Sequence, residues 1–240
     1  MSSSLSPIIS VHNLVKRFGL KTILRGLNFE VEKGEFVALL GPNGAGKTTF
    51  LRILASLSRP AAGRVTVSGF SLPSQAAAVR RLIGVVSHLP LLYGDLTAEE
   101  NLRFYARMYS IPNPDARIND VLDVVGLTAR RRDLVRTYSR GMQQRLAIGR
   151  AVLHDPEIML FDEPFTGLDQ DACAMLGDVL REVAARSRTV VMTSHDLSRA
   201  ADLASRFDVI SRGTITASAH SQDMDTDLLL SFYRDAIGAK

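Results

Sequence analysis

The run Gly41-Pro42-Asn43-Gly44-Ala45-Gly46-Lys47-Thr48-Thr49 limits what this chain can fold into more than any other feature. It satisfies the pattern G-x-x-x-x-G-K-[ST], and its flanks decide what the pattern means. Residues 35–40, Glu-Phe-Val-Ala-Leu-Leu, form an apolar run of the length of a buried parallel strand. Phe50, Leu51 and Leu54 then follow at helical spacing. The glycines therefore fall where a strand turns into a helix. Gly41, Gly44 and Gly46 admit positive φ and let the backbone approach a phosphate with no Cβ in the way. The free N–H groups and the helix N-terminus face the anion. Lys47 supplies a point charge for the β- and γ-phosphates, and Thr48 a hydroxyl for Mg²⁺. The pattern predicts a site for a nucleoside triphosphate.

The 240 residues suffice for one large α/β domain with an inserted subdomain. A hydrophobic fraction of 46% beside 22% charged residues is that of a folded globular chain. The formal charge of +4 suits an anionic ligand or a membrane surface, and no concentrated basic arm argues for nucleic acid. The run Arg130-Arg131-Arg132 with Arg136 reads as a solvated face or as a phosphate contact. Cys173 is the single cysteine, which excludes an intramolecular disulfide. No apolar run approaches the ~18 residues of a membrane-spanning helix, and Met1-Ser2-Ser3-Ser4 lacks the features of a signal peptide. A cytosolic chain, held to a membrane only through a partner, is expected.

Residues 8–15 and 22–31 read as strands, and 32–34 turn into the strand before the glycine loop. Strands at 63–69 and 83–87 flank a helix at 76–82. The character then changes. Thr97 can cap a helix with Glu99 and Glu100 in its first turn, and helical patterns continue to 109, over 116–125 and over 140–153. Residues 89–153 thus read as a helical insertion, broken internally at Pro112 and Pro114, in a core made of 1–88 and 154–240. The core resumes with strands at 157–161, 189–193, 206–211 and 214–217, and helices at 171–185 and 197–203. Strands alternating with helices predict a parallel sheet with helices on both faces, and a ligand at the carboxyl ends of its strands. Asp223-Met-Asp-Thr-Asp227 mimics the start of a calcium loop, but Leu228 and Arg234 stand where glycine and glutamate are needed, so it reads as a solvated helix start.

Four further places carry chemistry. Asp162 and Glu163 close an apolar strand; Asp162 can reach the metal shell near Thr48, and Glu163 can orient or deprotonate an attacking water. His195 ends the next strand, where an imidazole can hydrogen-bond a γ-phosphate. Ser139 caps a helix whose backbone Gly141 leaves open, a potential second anion site. Phe18 is a core aromatic or a platform for a nucleobase.

Taken in order, Gly41–Thr49, residues 139–145, residues 158–163, Gly167-Leu168-Asp169 and His195 resemble the ATP-binding subunit of ATP-binding-cassette transporters over nearly the whole chain. The resemblance implies a P-loop NTPase (RecA-like) parallel-sheet core, N-terminal antiparallel strands and an inserted helical subdomain. It implies that Phe18 stacks on adenine, that Asp162 and Glu163 are the magnesium-side acid and the catalytic glutamate, that Asp169 lies in the D-loop and that His195 is the switch histidine. Ser139, Gly141 and Met142 match the signature that caps ATP held by the opposite subunit. ATP and Mg²⁺ are the implied cofactors. The implied partners are a second ATP-binding subunit, head to tail, and separate membrane-spanning subunits. Two departures stand out. The usual Leu-Ser-Gly-Gly-Gln is Tyr138-Ser139-Arg140-Gly141-Met142, and the usual glutamine that contacts Mg²⁺ and the attacking water is His88. Within the family, the segment 88–109 looks like the haem-exporter subunit of cytochrome c maturation, although related exporters share much of it.

At His88 an amide that does not titrate is replaced by an imidazole whose ordinary pKa is near ~6.5. Neutral, it can offer a lone pair to Mg²⁺ or water; protonated, it offers only donors. If it acts there, hydrolysis falls on acidification, and His88→Gln keeps neutral-pH turnover while flattening the acid limb. If His88 only packs against a membrane subunit, the two profiles of turnover against pH superimpose.

Overall fold

The computed structural model describes residues 6–87, 89–185 and 188–238. Its strands are β1 (Ile9–Phe18), β2 (Lys21–Val31), β3 (Phe36–Leu40), β4 (Ala62–Val67), β5 (Phe70–Leu72), β6 (Ile83–Val86), β7 (Ile158–Asp162), β8 (Thr189–Ser194), β9 (Arg206–Ser211) and β10 (Thr214–His220). The α-helices are α1 (Lys47–Leu54), α2 (Ala76–Leu82), α3 (Ala98–Met108), α4 (Pro114–Val124), α5 (Arg140–Val152), α6 (Gln170–Ala185), α7 (Leu197–Ala201) and α8 (Thr226–Ile237). They form an antiparallel sheet of order β2-β1-β4-β5 and a second sheet of order β10-β9-β3-β8-β7-β6. In the second, β9, β3, β8, β7 and β6 run parallel, and β10 returns antiparallel on β9.

Every residue of β3 is buried, and its side chains alternate between two cores, as the period of a pleated strand requires. Val37 and Leu39 join Leu160, Val191 and Ile210 on one face. Phe36, Ala38 and Leu40 join Phe161, Met192 and Val209 on the other. Helices lie on both faces, as expected, and one face also carries the antiparallel sheet. The first face packs against α1, through Phe50, Ile53 and Leu54, and against the antiparallel sheet, through Ile9, Leu14, Leu24 and Val65. This antiparallel layer, called sheet A, can do this because β1 and β2 each bury a row of apolar residues that only another apolar layer can cover.

The opposite face is helical, and its apolar contact runs without interruption into the segment 89–153. Ala98 and Leu102 of α3, Ile118 and Leu122 of α4, and Leu146 and Ile148 of α5 belong to the same cluster as Leu40 and Phe161. Thr97 and Glu100 close a reciprocal capping box at the start of α3. Pro114 stands in the first turn of α4, after Asn113 at φ 52°. Asp225 caps α8 by accepting from the Leu228 N–H at 2.8 Å, so the calcium-like motif is a helix start.

Arg206 joins the two sheets. Its guanidinium donates to both oxygens of Glu35, at 3.0 and 2.9 Å, to Asp208 Oδ2 at 3.1 Å, and to the backbone carbonyl of Glu30 on β2. Asp208 is buried, and burial raises its pKa while the Arg206 charge opposes the rise. The native state therefore holds this proton more tightly than the unfolded chain does. The contribution is fully present below the unfolded pKa, about 3.9, and is lost as pH rises through the raised native value. Denaturant unfolding at a series of pH values should show Asp208→Asn gaining on the wild type as pH increases. Arg206→Met, which leaves two carboxylates without their cation, should cost about 3 kcal/mol near neutral pH.

Candidate functional site

β3 ends at Leu40, and the loop that follows enters α1 through Gly46, at φ 112°. The glycines of this loop serve different ends. A Cβ on Gly41 would stand 2.3 Å from the Ile210 carbonyl oxygen of β9, and one on Gly46 would stand 2.8 Å from Leu24 Cδ2. Gly44, at φ 80°, borders open space. Gly41 is therefore small because a strand crowds it, whereas Gly44 borders the open cavity. A cavity of about 310 Å³ opens there. It is lined by Pro42 to Gly44, by Gly46 to Thr49, by Glu163 and, from β2, by Lys21 and Ile23.

Lys47 is buried, and its ammonium donates to the Gly41 carbonyl at 2.6 Å. It also lies 3.3 Å from Glu163 Oε1. Parallel pairing aligns the strand ends that supply the remaining groups, with Leu40 beside Ser194 and Asp162 beside Thr193. Asp162 Oδ1 accepts from the hydroxyls of Thr48 and Thr193, each at 2.9 Å. Glu163 leaves the strand at φ 52°, a left-handed conformation uncommon outside glycine. Its N–H is held by Thr193, through Oγ1 at 3.0 Å and the carbonyl at 3.3 Å. That bend aims the carboxylate back across the sheet edge. Oε2 meets His195 Nδ1 at 2.6 Å and accepts from the His195 N–H at 3.3 Å. Lys47, Thr48, Asp162, Glu163 and His195 are thus brought together around one carboxyl-terminal sheet edge.

Phe18 is more than half exposed, at the tip of the β1–β2 hairpin. The Lys16 ammonium sits 4.8 Å from its ring centroid while donating to the Arg59 carbonyl at 2.8 Å. Ser139 caps α5, its Oγ accepting from the Met142 N–H at 3.3 Å. Neither Ser139 nor Gly141 lines the Lys47 cavity. Gly141 permits a close helix approach, since a Cβ there would meet Ala172 Cβ of α6 at 2.8 Å. The Arg140 guanidinium packs over Gly167, where a Cβ would lie 2.6 Å from Cζ. Asp169 accepts from the Ala172 N–H at 2.7 Å and so caps α6. Tyr138, in place of the usual leucine, is buried and donates its hydroxyl to the Arg130 carbonyl at 2.7 Å. His88 lies outside the described residues. Lys21 and Ile23, which line the cavity, and the bracing hydroxyl of Thr193 are not among the residues that the sequence picks out.

These features have counterparts in known proteins. A family model described as ABC transporter matches residues 24–166. The linearmycin resistance ATP-binding protein LnrL of Bacillus subtilis is 36% identical over 219 residues, covering 90% of this chain and 70% of that protein. The Nod factor export ATP-binding protein I of Ralstonia nicotianae is 36% identical over 223 residues, with coverages of 92% and 70%. A solved ATP-binding subunit of an ABC transporter superposes with a TM-score of 0.84 at 28% identity, covering 95% of this chain and 99% of that one. A dimeric ATP-binding cassette, in a post-hydrolysis state with ADP and Pi, gives 0.80 at 26%, covering 89% and 98%. With its phosphate loop, paired acids and histidine at one sheet edge, the chain belongs to the ABC transporter family as an ATP-binding subunit that hydrolyses ATP.

Proposed function

We propose that this chain powers an exporter, binding MgATP at a head-to-tail dimer interface and working through membrane-spanning subunits from the cytoplasmic face of the membrane. The observation that carries the reading is the Glu163 carboxylate, held between Lys47 at 3.3 Å and His195 at 2.6 Å at the mouth of the phosphate loop. A carboxylate so placed can accept the proton of a water attacking the γ-phosphate. His195 fixes its direction and can donate to the phosphate. The N–H groups of Gly44, Gly46 and the first turn of α1 cradle the phosphates, with Lys47 as the counter-charge. Phe18 offers the ring face away from Lys16 to adenine.

Thr48 and Asp162 would hold Mg²⁺. Their hydroxyl and carboxylate, 2.9 Å apart, are hard oxygen donors, and Mg²⁺ takes one or two such protein ligands beside phosphate oxygens and water. When bound, the ion supplies charge neutralisation at the phosphate oxygens. Ser139 and Gly141, remote from their own chain's cavity, cap the nucleotide of a second copy, and Asp169 sits in the turn between the two sites. The family pattern gives His88 the role of the glutamine that contacts the metal and the attacking water.

For the membrane partner, we assign the groove of about 190 Å³ bounded by Leu57, Leu91, Tyr105 and Tyr109. It lies between the core and α3, and Leu57, Leu91 and Tyr109 are exposed apolar side chains there. No helix among the described residues is long and apolar enough to cross a membrane. The names of the relatives favour an exporter of the linearmycin-resistance or Nod-factor kind. Haem export is supported by the likeness of 88–109 alone.

Glu163→Gln should still bind MgATP and should accumulate as a dimer, with turnover lowered about 10²–10⁴-fold, or about 3–5 kcal/mol of barrier. Turnover and size-exclusion in MgATP measure both; wild-type turnover would remove Glu163 from the mechanism. Ser139→Arg should abolish ATP-dependent dimerisation and leave monomer affinity for ATP intact. An equal loss of monomer affinity would show that Ser139 acts within its own chain.

A further inference from the structure

Lys21 occupies a position that nothing in the signature of the family explains. It opens β2 and lines the phosphate cavity together with Ile23, two residues along the strand. Residues two apart on a strand share a face. The register pairs Lys21 directly with Phe18 across the hairpin, and directly paired residues also share a face. Phe18, Lys21 and Ile23 therefore share one face of the hairpin; Lys21 and Ile23 line the cavity, and Phe18 stands at the outer end, beyond its lining. The lysine stands between a ring suited to a base and a loop suited to phosphates.

The charge balance of the cavity is uneven. Its lining holds two lysines, Lys21 and Lys47, and one acid, Glu163. Both oxygens of that acid are engaged, Oε1 by Lys47 and Oε2 by His195. Among the described residues, Lys21 has no acid within ion-pair distance and no hydrogen-bond partner for its ammonium. A flexible cation that lines a concave site without a counter-charge is suited to an anionic ligand.

We propose that Lys21 is a nucleotide-binding residue acting within its own chain, and that it contacts the phosphate nearest the ribose. This rests on the reading that the cavity holds the nucleotide with its base toward Phe18. On that reading, the terminal phosphates lie at Gly44 to Thr48 and the first phosphate passes beneath the hairpin. The P-loop cradle and Lys21 then both contact the polyphosphate, at its terminal and its first phosphate respectively. Because the first phosphate is common to AMP, ADP and ATP, Lys21 contributes to all three alike and contributes nothing to adenosine.

Calorimetric titration of the full chain tests this with MgADP and with adenosine, and with AMP measured by competition. The variants are Lys21→Gln, Lys21→Arg and Lys47→Ala. Lys21→Gln should weaken MgADP and AMP by a common factor of about fivefold at low salt, as for a partly exposed charge pair. The factor should shrink as salt is raised. Adenosine should bind both proteins alike, and Lys21→Arg should keep most of the affinity for MgADP. If Lys47→Ala loses MgADP while Lys21→Gln binds it as the wild type does, the role of Lys21 is overturned and the nucleotide site stands. An equal loss of adenosine would make Lys21 a packing residue of the hairpin. A loss confined to MgADP and absent for AMP would overturn the assignment to the first phosphate. If Lys47→Ala also binds MgADP normally, the cavity is not the nucleotide site, and the underlying reading falls with the proposal.

Discussion

The parallel pairing of β3, β8 and β7 is the constraint on which the site depends. Each strand alone is a short apolar run with a polar residue or two at its end. Paired in register, with Leu40 beside Ser194 and Asp162 beside Thr193, the three deliver loop, acid and histidine to one edge. Thr193 then does the finest positioning. One hydroxyl donates to Asp162 and accepts from the Glu163 N–H, and thereby turns two consecutive acids into two different tools. Asp162 stays on the sheet, beside Thr48. Glu163, forced into a left-handed conformation, points toward Lys47 and His195. Such a conformation costs of the order of 1–3 kcal/mol. It persists because backbone and side-chain contacts of the neighbouring strand over-determine it.

Burial on both faces of this sheet keeps the register. A slip of one residue would exchange the two rows of β3, sending Val37 and Leu39 into the helical core and Phe36 and Leu40 toward sheet A. The rows differ in volume and meet different partners, so the slip would be costly in both cores at once. The antiparallel sheet is thus more than an appendage that carries Phe18 and Lys21. It is the layer that makes the central strands apolar on both sides, and Arg206 fastens its β2 to the strand ends away from the site.

Much of this was legible in the residues. The apolar run 35–40, the glycine loop and the helical spacing after it specified a strand, turn and helix that the structure contains. The capping pattern at Thr97 announced the start of α3 through a local, reciprocal hydrogen-bond chemistry. Local signals of that kind survive folding because they are satisfied within one turn of chain. The bracing role of Thr193, the crowding of Gly41 by Ile210 and the inward face of Lys21 were not legible. Each joins residues far apart in the chain, and no periodicity encodes which strand will lie beside which. The same holds for the face of the parallel sheet covered by sheet A, where alternation in β1 and β2 announced a buried side without naming its partner. The residues at 139 and 141 alone describe a capped helix start that could hold an anion; the role of capping ATP on an opposite subunit came from family resemblance.

The glycine contacts at the start of α5 carry a mechanical consequence. Gly141 brings the helix against Ala172 with no room for a methyl group between them, and Arg140 lies across Gly167 in the turn just ahead. A joint this tight has no play, since close-packed interiors are bistable and deform little. Any push that reaches α5 from the helical segment must carry the Asp169 turn and the first turn of α6 along with it. The two glycines thus make the junction of α5 with the turn before α6 a close-packed joint, on the chain that runs on from Asp162 and Glu163.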